Sequence, residues 1–389
     1  MSAEICRSLT PKSSTSDVGI IEYVRVKVKI NYVDHLMFLM YVNKLVSETE
    51  RVPQPEGRAG YLRLDQNENP DGVPQWLFNR VISKLTPEFL SIYPEETKLT
   101  EKYAKLLGLN SNEVTLTDGS VVGMDYLIKI FGEPSKKLVC VTPTFGMYEV
   151  YAKMVGMSVQ SLPYNENLTF NTETIINSIN KETGIVVLVN PNMPVGNVYS
   201  EFEIESIVKK AKENNVFVII DEAYHYFYEG TSINLIKNYD NVAILRTFSK
   251  MLSIPALRLG AIISSPEIVR CVNNYKPHYT VNSVALLFGE AIVDNHDTLI
   301  KEMYHNYEEG MKYLTGRLEK KGYSIVKSHG CFICVQPKNR APQEITDALK
   351  ENKILVLCGK GDLEKFIRVS VCNVKYMKQF VETLLKVDQ

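Results

Sequence analysis

From about residue 75 onward, short apolar runs alternate with amphipathic stretches. The runs at 138–142, 185–190, 216–221, 242–247 and 259–263 are apolar at nearly every position, and 113–117 is a shorter strand-like run of mixed character. A strand wetted on one face alternates apolar and polar residues, whereas a strand apolar throughout is buried on both faces. These runs predict a mostly parallel sheet sandwiched by helices, an α/β arrangement, with 201–214 as one covering helix. Past residue 300 the pattern predicts a long helix over 299–320, short strands at 331–335 and 366–371, and a final helix. That is a smaller α+β lobe.

The first sixty residues have a different texture. Ser13 to Ser16 reads as a loose tail. Residues 24–30 alternate apolar and basic side chains, a strand with one wet face. Its basic side is either a binding edge or an ordinary solvated face. Residues 51–60 hold two prolines and two glycines and read as a linker. The expected organisation is an extension and linker over 1–60, a segment joining the small domain over 61–92, a large domain over 93–298 and a small C-terminal domain over 299–389. No repeat of fixed period is present.

Composition narrows the function classes. Lys and Arg number 44 against 45 Asp and Glu in 389 residues, so the net charge is −1. Such a balance gives no general electrostatic reason to coat nucleic acid or an anionic membrane. The apolar run at 36–42 is far shorter than the roughly twenty residues of a membrane-spanning helix. The N-terminus lacks an apolar signal core. Seven scattered cysteines, an odd number, suggest reduced thiols and a cytoplasmic location. Cys331 and Cys334 have a CxxC spacing, but no second pair follows and the histidines form no ligand pattern, so no metal site is expected.

The chemistry lies where the apolar runs end. Ligands of open α/β sheets bind beyond the carboxyl ends of the strands. Thr117 leads to Asp118-Gly119-Ser120, Thr142 to Pro143-Thr144-Phe145, and Asn190 to Pro191-Asn192-Met193. Asp221 leads to Glu222-Ala223-Tyr224, and Thr247 to Phe248-Ser249-Lys250. Each alone has a bland reading: a helix cap, a core ring, a loop carboxylate, a surface lysine. Together they match the needs of a phosphorylated pyridine aldehyde. That ligand needs an amine for its aldehyde, a carboxylate for its ring nitrogen and an aromatic platform. It also needs hydroxyl and amide partners, and N–H groups with a cation for its phosphate. Arg258 can be that cation.

From about Tyr61 to the C-terminus the chain resembles the fold type I, class I/II aminotransferases, within them the histidinol-phosphate aminotransferase-like group. The resemblance rests on Leu64-Asp65-Gln66-Asn67-Glu68-Asn69-Pro70, Tyr93-Pro94, Asp118-Gly119-Ser120, Pro143-Thr144-Phe145-Gly146-Met147-Tyr148, Asn190-Pro191-Asn192-Met193-Pro194-Val195-Gly196, Asp221-Glu222-Ala223-Tyr224, Thr247-Phe248-Ser249-Lys250, Arg258-Leu259-Gly260 and Phe366-Ile367-Arg368-Val369-Ser370.

It implies pyridoxal 5′-phosphate as cofactor, with Lys250, Asp221 and Tyr224 catalytic. Lys250 would carry the cofactor, Asp221 would face its ring nitrogen and Tyr224 its ring oxygen, where Asn192 is a second candidate. Phe145 would stack on the ring. Gly119, Ser120, Thr247, Ser249 and Arg258 would hold the phosphate, joined by Tyr93 from a neighbouring subunit, so a homodimer with shared sites is expected. Arg368 and Asn67 would bind substrate. The implied reaction moves an amino group between an amino acid, glutamate being one candidate, and a keto acid or ketone. A decarboxylase acting on an amino acid or its phosphate is the nearest alternative, and a non-catalytic cofactor-binding homologue a more remote one.

Three departures stand out. Met193 replaces the family's asparagine before Pro-Thr-Gly, and a thioether cannot donate a hydrogen bond. Leu357 replaces the arginine of an Ile-x-Val-Arg segment, which disfavours histidinol phosphate as substrate, with Lys353 or Lys360 as candidate replacement cations. Gly330-Cys331-Phe332 replaces Ala-Asn-Phe.

Overall fold

A computed structural model of the protein describes residues 24–26, 38–40, 44–47 and 55–389. The large lobe is built on seven strands: β1 (Val114–Thr117), β2 (Lys137–Thr142), β3 (Ser158–Pro163), β4 (Thr183–Val189), β5 (Phe217–Asp221), β6 (Val242–Thr247) and β7 (Gly260–Ser264). They lie in the order β1-β7-β6-β5-β4-β2-β3. Only β7 runs against its neighbours, antiparallel to both β1 and β6. The other five strand ends predicted to carry chemistry therefore open on one edge. The reversal of β7 brings its beginning, just after Arg258, to that same edge.

Burial on both faces explains the apolar runs. On β4, Val186 and Leu188 join one core with Ile204, Ile207 and Val208 of the helix Glu201–Glu213, while Ile185, Val187 and Val189 join a second core on the other face. That helix starts on Ser200, whose side chain accepts from the Glu203 N–H while Glu203 reaches back to the Ser200 N–H. The predicted strand at 113 begins one residue later, because Ser111–Glu113 forms a 3-10 turn.

The small lobe has a four-stranded antiparallel sheet in the order β8-β9-β11-β10: β8 (Ser324–Val326), β9 (Phe332–Gln336), β10 (Leu357–Cys358) and β11 (Ile367–Ser370). The helices His296–Lys320 and Val374–Val387 cover it. Leu62–Arg63 pairs in parallel with Ile354–Leu355. Leu62 and Leu64 thus sit in the small-lobe core, whereas Leu77 and Val81 sit in the large one, and the chain between them passes the junction.

The alternating strand expected at 24–30 is described at Val24–Val26, paired antiparallel with Phe38–Met40. Its remainder, and the tail at 13–16, lie outside the described residues. Among the described residues no helix is long and apolar enough to cross a membrane.

Candidate active site

Asp221 ends β5 on the open edge. Its Oδ2 accepts from the Tyr148 hydroxyl at 2.8 Å and its Oδ1 from the Ala223 N–H at 3.0 Å. Burial pushes this carboxyl up to about 6, against the lowering effect of those donors and of the nearby Lys250 charge. A buried carboxylate so placed is stabilised by a cationic N–H brought against it.

Lys250 follows β6. Its Nζ donates to the Gln66 carbonyl at 3.0 Å and stands 5.7 Å from the centre of the Tyr224 ring. Burial pushes the amine below its ordinary value, and the Arg368 and Arg258 charges act in the same direction. Tyr224 is buried, packed edge-on against Phe332, and its hydroxyl accepts from Nδ2 of Asn67 at 2.8 Å. Asn67 holds a left-handed backbone, φ 57°, with its N–H and its Oδ1 both bonded to Oγ of Ser370. The amine, the carboxyl and the phenol therefore sit in one buried cluster. A cavity of about 360 Å³ adjoins it, lined by Lys250, Asn67, Glu68, Cys331 and Tyr307 among others.

A second group of donors lies at the start of the helix Ser120–Phe131. Gly119 precedes that helix with φ 78°, and no side chain caps it. The first N–H groups of an uncapped helix remain available to an anion. The Arg258 guanidinium packs against Gly119 where any β-carbon would collide, and a β-carbon on Gly260 would collide with the Ser120 N–H. Gly119 is thus required by its left-handed backbone and Gly260 by close approach of the Ser120 backbone. Thr247 accepts the Ser249 N–H at 3.1 Å, and Ser120, Thr247 and Ser249 are all buried.

A buried ion pair steadies the two strand ends. Arg246 bonds Glu222 at 2.8 Å, and Glu222 also accepts from the Ser232 N–H. Glu222 adjoins Asp221, and Arg246 adjoins Thr247.

Arg368 is brought into the same region. Its Nη2 donates to the Asp65 carbonyl at 2.6 Å, its Nη1 faces the Met193 sulfur at 2.8 Å, and its buried Nε has no partner. A guanidinium with one orphaned N–H and one facing a weak thioether acceptor has capacity left for a carboxylate.

Other expected residues are placed differently. Asn192 is engaged within the loop: it donates to the Pro143 carbonyl at 3.0 Å and the Tyr164 hydroxyl at 2.8 Å, and its Oδ1 accepts from Thr144. Phe145 is half-buried against the core that holds Tyr148. Tyr93 is 73% exposed and stacks on Tyr279 at 4.6 Å. Tyr148 is the residue that sequence reasoning missed. It stands inside a quoted motif, three positions after Phe145, and a buried phenol usually finds a partner.

Cys331 and Cys334 are free thiols with separate partners, the carbonyls of Asn67 and Pro194. Of the candidate replacement cations, Lys353 stands 4.9 Å over the Tyr61 ring, and Lys360 is exposed with its charge near Cys358.

Taken together, the glycine-lined cradle with its guanidinium and the buried carboxyl, bonded to a phenol and a backbone N–H rather than to a cation, fit the phosphate and the ring nitrogen of pyridoxal 5′-phosphate. A sequence model of the family described as aminotransferase class I and II matches residues 59–384. A histidinol-phosphate aminotransferase of Clostridium novyi (strain NT) is 32% identical over 321 residues, covering 81% of this chain and 88% of that one. The crystal structure of a histidinol-phosphate aminotransferase from Sinorhizobium meliloti, in complex with pyridoxal-5′-phosphate, is similar with a TM-score of 0.81 at 18% identity, over 89% of this chain and 97% of that one. That of an L-threonine-O-3-phosphate decarboxylase from Porphyromonas gingivalis is similar with a TM-score of 0.70 at 20% identity, over 84% and 98%.

Proposed function

The chain belongs to the class I and II aminotransferases, and on that premise we propose that it moves an amino group between an amino acid and a keto acid or ketone, using pyridoxal 5′-phosphate held at Lys250. The observation that carries the proposal is the burial of a lysine amine and an aspartate carboxyl in one cluster, at the sheet edge where the uncapped helix and Arg258 also converge.

When bound, the cofactor supplies an electron-withdrawing ring that spreads the negative charge left at the substrate α-carbon. The residues of the chain do the rest. Arg258, Ser120, Thr247, Ser249 and the backbone at Gly119 hold the phosphate. Asp221, positioned by Tyr148, keeps the ring nitrogen protonated. Tyr224, positioned by Asn67, faces the ring oxygen, and Phe145 provides a face. Lys250 takes the proton from the substrate α-carbon. Burial lowers the pKa of this amine, which favours its neutral, proton-accepting form relative to an exposed lysine. Arg368 clamps the substrate carboxylate as a planar, permanently charged fork.

The test is to mix the cofactor-loaded enzyme with a panel of amino acids. Loss of the long-wavelength absorbance, with one keto acid formed per site, is expected. Release of carbon dioxide without a keto acid would make the protein a decarboxylase and overturn the proposal.

The same reading includes a homodimer with shared sites. Tyr93, Leu90 at 66% and Ile92 at 55% exposure leave an open apolar surface beside a second cavity of about 790 Å³. A second copy covering it would carry Tyr93 to the partner's phosphate cradle. The six described cysteines are all free thiols, which supports a reducing, cytoplasmic setting.

A further inference from the structure

Strand β11 sets Arg368 between two directly opposed neighbours, Leu357 on β10 and Cys334 on β9. Opposed residues of an antiparallel pair project from the same face of the sheet. Leu357, Arg368 and Cys334 therefore form one row. The alternate residues Ile333, Val335, Ile367 and Val369 fill the small-lobe core, whereas Cys334 belongs to the large-lobe core. The row thus turns toward the large lobe and the buried amine. Met193 approaches Arg368 from the large-lobe side with its sulfur, and the Phe332 ring lies 5.8 Å from the guanidinium. Leu357 is 42% exposed, an apolar face left open beside the arginine.

These surroundings limit what a molecule held by Arg368 can carry. The guanidinium carries one positive charge, its buried Nε is unpartnered and its Nη1 meets only a thioether. One carboxylate uses that capacity. A second anionic group on the same molecule would need a further cation, and the two arginines beside Asp65 are already paired with carboxylates. Arg58 bonds Asp65 and Glu68, and Arg63 bonds Glu68 at 2.9 Å. Lys353 covers Tyr61, and Lys360 lies near Cys358, which is opposed to Ile367 rather than to the row. A phosphate or second carboxylate against Leu357 and Met193 would lose its water without a partner. An aliphatic chain in the same place would gain from leaving water.

Resting on the aminotransferase reading, we propose that Leu357 and Met193 select an amino acid whose side chain is uncharged and apolar, while Arg368 holds its carboxylate. Calorimetry on the cofactor-loaded enzyme with three unreactive acids tests this: 4-methylpentanoate, glutarate and 3-phosphonopropanoate. The expected result is a Kd for 4-methylpentanoate at least about tenfold below those of the two dianions. Leu357→Arg, at a half-open position, is expected to reverse the order, and Arg368→Leu to weaken binding of all three. Equal or tighter binding of a dianion by the unaltered enzyme overturns the proposal, and so does an absence of binding by any of the three acids. Mixing with amino acids separates the two readings: a loss of long-wavelength absorbance with keto acid formed leaves the aminotransferase assignment standing even when the selectivity fails.

Discussion

At residue 221 two effects oppose each other. Removing the carboxylate from water disfavours its charge, while the Tyr148 hydroxyl and the Ala223 N–H favour it, and burial wins, leaving the group near 6. Its folded value is thus above the ordinary aspartate value of about 3.9. Between those two pH values the folded apoprotein binds more protons at this site than the unfolded chain does. Its stability therefore falls as pH rises through that window. Asp221→Asn cannot ionise. The melting temperature of the apoprotein variant, relative to the unaltered apoprotein, is expected to rise between about pH 4 and pH 6. A flat difference across the window would mean that Asp221 carries no such penalty. The same variant, loaded with cofactor, is expected to lose orders of magnitude in turnover, because an amide cannot hold the ring nitrogen protonated. The placement of Lys250, Asp221, Tyr224 and Arg258 at the open edge was legible in the sequence, because each follows or precedes an apolar strand there. Asn192 was not legible in the same way: its adjacency to Met193 is a sequence fact, but the commitment of its amide to Pro143 and Tyr164 is a matter of loop packing.

At the scale of elements, the fully buried strands were the most readable, since apolar side chains on both faces leave little else for such runs to be. β3 was not predicted. It lies at the sheet edge beside β2 alone, and its residues Ser158, Gln160 and Ser161 remain outside the apolar pattern. Strand direction was not readable either. Nothing in the composition of β7 marks it as antiparallel, yet that reversal delivers Arg258 to the cradle at Gly119. The Glu222–Arg246 pair shows the same limit. A charge just past one buried strand and another within the next suggest surface positions until folding sets them 2.8 Å apart, almost fully buried.

At the scale of the whole molecule, the site is built from both lobes. Arg368 and Cys331 come from the small one, Lys250, Asp221 and Tyr224 from the large one, and Asn67 from the chain passing between them. The exposed Tyr93 surface extends that logic to a second copy. Light scattering is expected to give twice the chain mass. Tyr93→Ala is expected to keep that mass while releasing the cofactor faster, as judged by dialysis and absorbance. A monomeric mass for the unaltered enzyme would contradict the shared-site arrangement.

The most direct measurement is covalent. The cofactor-loaded enzyme is reduced with sodium borohydride, digested, and its peptides are weighed by mass spectrometry, beside Lys250→Ala treated identically. The reduced pyridoxyl phosphate is expected on Lys250 alone, and on no peptide of the variant, which is also inactive. A tag on a different lysine, no tag at all, or a tagged and active Lys250→Ala enzyme would contradict the assignment of this buried amine as the group that carries the cofactor.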